Sequence, residues 1–308
     1  MLRRLHLSLA LPIATTVVLW GSAYAGIRVG LKAYSPAHVA VLRYVAAALV
    51  LGLVAVLTRM RLPRRRDLPA IFLLGLAGFT FYNLALNLGE QTVPAGPAAL
   101  LVQTGPIWTG LLAAILLRER LRAWAWLGIG ISFAGILLIG LGKGQSFQLE
   151  WAAGLIVLAA LSMSIYNVLQ KRMLARYRAL EITSYAVWAG TLLLLPFAPG
   201  LLGEMRAAPL PATLAVIYLG AGPAALGYVT WALVLAQLPA GRAASFLYAV
   251  PVVAFLAGWI WLGEAPATSD LFGGLLALAG VVVVNTLGRT EAKNGFSRIR
   301  DVRRAGPL

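Results

Sequence analysis

The chain has 308 residues, of which 60% are apolar and only 12% are Asp, Glu, Lys or Arg. A soluble globular domain carries roughly 25% charged residues, so a water-facing surface cannot be built here, and the net charge of +16 fits a lopsided membrane protein better than a nucleic-acid binder. Cys is absent and His6 and His38 are the two His, which excludes a disulfide scaffold, a thiolate nucleophile and a Cys or His metal cluster.

A membrane-crossing helix needs about 20 mostly apolar residues. Apolar runs between basic or Pro/Gly-rich breaks give ten, near 11–31, 36–58, 68–89, 94–117, 124–142, 151–172, 182–202, 212–236, 239–262 and 270–287. Residues 1–10 read as a cytoplasmic N-terminus and 289–308 as a disordered basic tail, also cytoplasmic. Arg3 and Arg4 before an apolar stretch, with Ser22-Ala23-Tyr24-Ala25 after it, have the look of a signal peptide. The same segment recurs later in the chain, so it is read as a retained first helix. With the N-terminus inside, 20 Lys and Arg fall on the cytoplasmic side and three (Lys32, Lys143 and Arg206) on the other, as the positive-inside rule requires.

Polar groups inside a span are costly unless they face protein or water, so they point to a pathway. Arg28 lies near a helix end and can snorkel to the interface, and His38 reads as a wetted surface residue. Arg43 sits seven residues into the second span, about 10 Å deep at 1.5 Å per residue. It can bind a substrate carboxylate, or clamp carbonyls and Glu90. The third span carries Tyr82, Asn83 and Asn87, with the two Asn one turn apart on one face. The fourth has Gln103 and Thr104 ahead of Pro106, then Trp108; the sixth has Ser162, Ser164, Tyr166, Asn167 and Gln170. Tyr228, Thr230 and Trp231 lie in the eighth, and Ser245 and Tyr248 precede Pro251 in the ninth.

From these, Tyr82, Asn83, Gln103, Trp108, Ser164, Tyr166, Asn167, Tyr228, Trp231 and Tyr248 are the expected substrate contacts. Amides and hydroxyls would hold a polar head, and rings would pack its side chain. The alternative for each is helix–helix glue; for Trp151 and Trp261, close to span ends, it is an interfacial belt. Pro106 and Pro251 each remove a backbone hydrogen bond within a span and are expected to act as gating hinges. A freed carbonyl facing the cavity and a merely bent helix are the other readings.

Residues 94–142 match 239–287 at a constant offset of 145. Pro94-Ala95-Gly96 answers Pro239-Ala240-Gly241, Pro106 answers Pro251, Glu119 answers Glu264, and Gly128 and Gly135 answer Gly273 and Gly280. Ser22 and Tyr24 answer Ser164 and Tyr166 at offset 142. Each half, 11–142 and 143–288, therefore holds five spans, and an odd number turns the second half over. The basic loop around Glu119 and the base-free loop around Glu264 agree with that inversion. The expected fold is an all-α membrane protein of ten transmembrane helices in two inverted five-helix repeats, an architecture of alternating-access transporters.

Trp20-Gly21-Ser22, Arg43, the twice-used Pro-Ala-Gly and the Pro106/Glu119 and Pro251/Glu264 pairs resemble the EamA-type branch of the drug/metabolite transporter superfamily, over about residues 10–288. The likeness is greatest to bacterial amino-acid exporters, including aromatic ones. It implies export of small metabolites from a bacterial inner membrane, with no cofactor, no metal and no nucleic-acid partner. It also implies structural roles for Arg43, Glu119 and Glu264. A proton-driven exporter usually keeps a carboxylate inside the membrane; here all ten acids sit in loops, tails or at span ends. Gradient-following export of a neutral or zwitterionic solute is thus expected. A drug or organic-cation exporter wants an intramembrane acid, and a membrane-embedded enzyme wants Asp, His or metal ligands at the membrane face. A monomer is expected, since the Gly26/Gly30 pair says little in a Gly-rich chain.

Overall fold

The computed structural model describes residues 2–105, 107–108, 111–112, 123–141, 147–237, 243 and 246–287. Among them every regular element is helical. Lipid offers backbone groups no partner, so a spanning segment that is not part of a closed barrel must satisfy them within itself. In chain order the helices are α1 (Leu2–Gly30), α2 (Pro36–Leu57), α3 (Leu68–Gly75), α4 (Tyr82–Gly89), α5 (Ala95–Val102), α6 (Ala123–Leu141), α7 (Phe147–Met173), α8 (Ala179–Leu194), α9 (Leu201–Ala207), α10 (Leu210–Leu219), α11 (Tyr228–Gln237), α12 (Val250–Leu262) and α13 (Thr268–Thr286). Among the described residues six stretches are long and apolar enough to cross a bilayer: Leu9–Gly30, Pro36–Leu57, Arg65–Gly89, Trp151–Met173, Ala179–Phe197 and Leu210–Gln237. They coincide with the first, second, third, sixth, seventh and eighth expected spans.

Two of those stretches are not uniform α-helix. α3 and α4 are joined by a π-helical turn, Leu76–Phe81, and α10 and α11 by another, Gly220–Gly227. Glycines let these rods touch their neighbours backbone to backbone. A Cβ on Gly75 would lie 2.6 Å from the Gly190 nitrogen on α8, and one on Gly220 would lie 2.4 Å from the Arg43 carbonyl on α2. The seventh span is shorter than expected. α8 stops at Leu194, a tight turn covers Leu195–Phe197, and Gly200 adopts a φ of 92° to start α9. Pro196 and Pro199 supply no N–H to carry the helix on.

α6 and α13 lie against each other over most of their length. A Cβ on Gly135 would meet the Gly273 carbonyl at 2.5 Å, and one on Gly280 would meet the Gly128 carbonyl at 2.4 Å. These residues are the repeat pairs, so one contact is made twice with the roles exchanged. Ser132 completes it, its Oγ donating to the Ala277 carbonyl at 2.9 Å.

Among the described residues the interior holds two large buried clusters and two small ones, one of these around Ile107. The first gathers Tyr24, Ile27, Leu86, Ile156 and Leu219; the second Tyr44, Phe79, Tyr166 and Tyr228; the third Leu9, Trp231 and Leu235. Leu53, Val56, Phe72, Leu202 and Ile260 face outward, as does Trp151 near its helix end.

Candidate functional site

The first π turn delivers Phe79 into the middle of the molecule. Its ring meets Tyr44, Tyr166 and Tyr228 edge-on, with centroids 5.3, 5.2 and 4.9 Å away. Trp20 of α1 joins from the other side, 4.9 Å from Tyr228 and 5.6 Å from Trp231, and its Nε1 donates to the Pro223 carbonyl in the second π turn at 3.2 Å. Tilted and edge-to-face contacts of this kind are the favoured geometry for ring quadrupoles. Sequence reasoning did not single out Phe79 for the site; a π turn leaves no composition signal, although the repeated glycines before each turn hint at close packing.

Beside the rings sits a closed polar knot. Asn83 is fully buried; its Oδ1 accepts from Arg43 at 3.0 Å, while its Nδ2 donates to the Tyr44 hydroxyl at 2.8 Å and to the Phe79 carbonyl at 2.9 Å. Arg43, only 3% exposed, also lies 5.5 Å from the Tyr44 ring centroid. Its hydrogen-bonded partner is thus Asn83 rather than Glu90. Tyr166 accepts from Gln170 at 2.6 Å. Tyr166 and Tyr228 are thus buried against each other and against Phe79, with Asn83 beside them, while Tyr82 is buried in the first cluster.

A different set sits where the buried clusters meet. Trp20 packs against three of them, and Met163 and Leu247 against two each, yet all three residues keep partial exposure. Asn167, one turn after Met163 on α7, is half-buried and accepts from Trp231 Nε1 at 3.3 Å. Gln103 donates to the Leu247 carbonyl. Of this group, Gln103, Asn167 and Trp231 are among the contacts expected from sequence.

The remaining expected contacts gather where the fourth span breaks. α5 ends at Val102, and Gln103 and Thr104 form a turn. Ser164 on α7 caps that break, donating to the Gly105 carbonyl at 2.8 Å. Trp108 donates to the Thr104 hydroxyl at 3.2 Å and meets Phe133 edge-on, while Tyr248 packs beside Ile107. Pro106 and Glu119 lie outside the described residues. Pro251 stands in the first turn of α12, directly after a tight helical turn over Leu247–Ala249 that itself follows helical Phe246.

Charges tie the end of the bundle where α1 and α4 finish. Arg28 does not snorkel. Its Nε pairs with Glu264 at 2.9 Å, and its NH1 donates to the Glu90 and Gln91 carbonyls at 2.7 and 3.0 Å. The other Glu264 oxygen accepts from the Ala95 N–H at 3.0 Å, at the start of α5. His38 is buried rather than wetted, its Nδ1 2.7 Å from Glu204, which also accepts from the Ser35 N–H at 3.0 Å. At the opposite end, Asp67 accepts from Arg176 at 3.0 Å and from the Tyr177 hydroxyl at 2.7 Å. Glu90 is fully buried, and neither carboxylate oxygen has a hydrogen-bond partner.

Residues 8–141 and 150–286 match the model of the EamA-like transporter family. The chain is 43% identical over 263 residues to a transporter of Bacillus subtilis named as uncharacterized, YdfC, covering 85% of this chain and 86% of that one. It is 40% identical over 280 residues to a probable terminal-alkyne amino-acid exporter of Streptantibioticus cattleyicolor, covering 90% and 94% of the two chains. A crystal structure at 22% identity superposes with a TM-score of 0.62, over 92% of this chain and 98% of the other, and shares the fold. The chain belongs to the EamA-like transporter family and is a membrane transporter rather than an enzyme.

Proposed function

We propose that this member of the EamA-like transporter family exports small metabolites, chiefly amino acids, by alternating access, favours aromatic and other neutral ones, and follows their gradient. The observation that carries the reading is the meeting point of the buried clusters, where Trp20, Met163, Asn167 and Leu247 stay half-exposed beside Gln103 and Trp231; we read it as the substrate gap. It joins apolar and aromatic surface with two amides that can reorient toward a polar head. The amino-acid exporter among its relatives, similar over nearly the whole chain, points to the same substrate class.

The ten-span inverted repeat is part of the proposal. Three features support it: the exchanged Gly135/Gly273 and Gly280/Gly128 contacts, the two π turns, and the matching approach of Gly75 and Gly220 to neighbouring backbones. In this arrangement both termini are cytoplasmic, in a bacterial inner membrane, and the Arg28–Glu264 seam lies on the outer side. Pro106 and Pro251 would mark the mobile halves of the fourth and ninth spans.

The test is uptake of labelled Phe, Trp, Met and Thr into proteoliposomes of purified protein, with and without an imposed pH gradient. Saturable uptake that levels off at the external concentration in both cases is the expected result. Accumulation above that concentration, driven by the gradient, would overturn the gradient-following part. Folded protein that takes up none of the four would overturn the substrate class.

A further inference from the structure

The carboxyl of Glu90 is buried just past α4, with no exposed surface and no hydrogen-bond partner on either oxygen. Charged and titratable groups surround it at a distance: Tyr24 and Arg28 on α1, Arg43 on α2, Tyr82 on α4 and Glu264 beyond α12. α5 brings no titratable side chain, and where α7 meets Gly89 it offers Ala152 and Ile156. Arg28, the nearest candidate partner, is committed elsewhere: to Glu264 and to the backbone carbonyls of Glu90 and Gln91. An ionised carboxylate buried with no hydrogen bond is far more costly than a protonated one. Burial accordingly holds this carboxyl well above the ordinary carboxylate range, Arg28 and Arg43 pulling against it and Glu264 adding to it.

The seam over Glu90 is what must part if the outer side is to open. Glu264 grips both Arg28 and the Ala95 N–H there, and its side chain and that of Arg28 keep 19% and 25% exposure. Once water enters, Glu90 gains the solvation it lacks. We propose that Glu90 is a proton-binding latch: the Arg28–Glu264–Ala95 seam closes only over a protonated Glu90, and opening returns the proton to the outer solution. The O–H bond forms with a proton from outer water on closing and breaks to the same water on opening. No proton crosses, so substrate flux still follows its own gradient.

The sign follows from linkage. The closed state binds one more proton than the open state at any pH between the ordinary carboxylate range, which a solvated Glu90 would regain, and the raised closed-state value. Rising pH therefore favours opening, by up to about tenfold in the open-to-closed ratio per pH unit. Removing the Glu264 charge by substitution instead loosens the seam at every pH, since it takes away the partner of Arg28 and of the Ala95 N–H. The two carboxylates are thus told apart by substitution.

The inference rests on the alternating-access reading, and the experiment separates the two. The chain has no Cys, so Thr92→Cys and Ala265→Cys, both at exposed positions flanking the seam, take spin labels specifically. Label-to-label distances are measured in nanodiscs from pH 5 to 9, with and without Phe, in this background and with Glu90→Gln or Glu264→Gln added. The expected result is a long-distance population that grows with pH, is absent at every pH in Glu90→Gln, and keeps its pH slope at a higher level in Glu264→Gln. A long-distance population that responds to Phe and not to pH would overturn the latch and leave alternating access standing. So would opening at acid pH. One fixed distance under all conditions would overturn both.

Discussion

Asn83→Ala separates a brace from a ligand. Asn83 makes three buried hydrogen bonds, to Arg43, to the Tyr44 hydroxyl and to the Phe79 carbonyl. Side-chain bonds within membrane proteins are worth about 0.6 kcal/mol each on average, so the two neutral ones contribute roughly 1 kcal/mol. The third is different, because its loss strips a buried guanidinium of its acceptor, at a cost of about 1.5–3 kcal/mol. The total of about 3 kcal/mol, at 2–4 °C per kcal/mol for a chain of this order, lowers Tm by roughly 6–12 °C. The assay is thermal unfolding in detergent, read beside amino-acid uptake. Asn167→Ala is the comparison, since Asn167 is half-buried with one bond to Trp231; it should move Tm by no more than about 2 °C while impairing uptake. A Tm for Asn83→Ala within that same small margin, with KM raised, would refute the brace and return Asn83 to the substrate contacts.

Two more expectations follow. A Cβ on Gly280 would lie 2.3 Å from Ser132 Oγ and one on Gly135 2.5 Å from the Ala277 nitrogen, so Gly280→Ala and Gly135→Ala should each destabilise by about 1–3 kcal/mol. Their Tm losses should be similar, whereas Gly52→Ala, with nothing within 4 Å, should cost nothing measurable; unequal losses would argue against the exchanged contact. Trp20→Ala, which removes the ring bridging three clusters, should raise KM for Trp and Phe at least several-fold more than for Thr; equal effects across substrates would place Trp20 outside the gap.

Much of this was legible in the sequence because lipid makes hydropathy a strong signal. Runs of apolar residues located the six membrane-length stretches among the described residues, and the 145-residue offset paired Gly128 with Gly273 and Gly135 with Gly280, the residues that meet where α6 packs on α13. What hydropathy does not encode is direction. Arg28 lies near a span end and reads as a snorkelling base, but its partner Glu264 is 236 residues away. His38 was similarly misread because Glu204 and the Pro199 carbonyl approach from α9 and the turn before it. The breaks within spans were the other blind spot. Two π turns hide in ordinary apolar sequence, and Pro251 looks the same whether it bends a helix or begins one. Glu90 shows the limit most clearly: it stands at a span end, as read, yet the packing around it buries it completely.

The distribution of strong and weak ties says which surfaces can move. The Asn83 knot fastens α2 to α4, and the Phe79, Tyr166 and Tyr228 rings fasten the first π turn to α7 and α11. None of these contacts can open without stranding buried polar groups, so that block should travel as a unit. The seam between α1 or α5 and α12 is built differently. Gly21 lies against Val253, with 2.4 Å to an added Cβ, and Gly96 against the Phe255 ring, with 2.2 Å. Such glycine-faced contacts bring backbones close without interlocking side chains across the seam. The polar tie that holds it, Arg28 to Glu264, is partly exposed, where an ion pair is worth no more than about 1 kcal/mol. A seam of that kind parts at small cost, and parting it would uncover Glu90. The mobile interface should therefore run along α12, with the aromatic core as its fixed side.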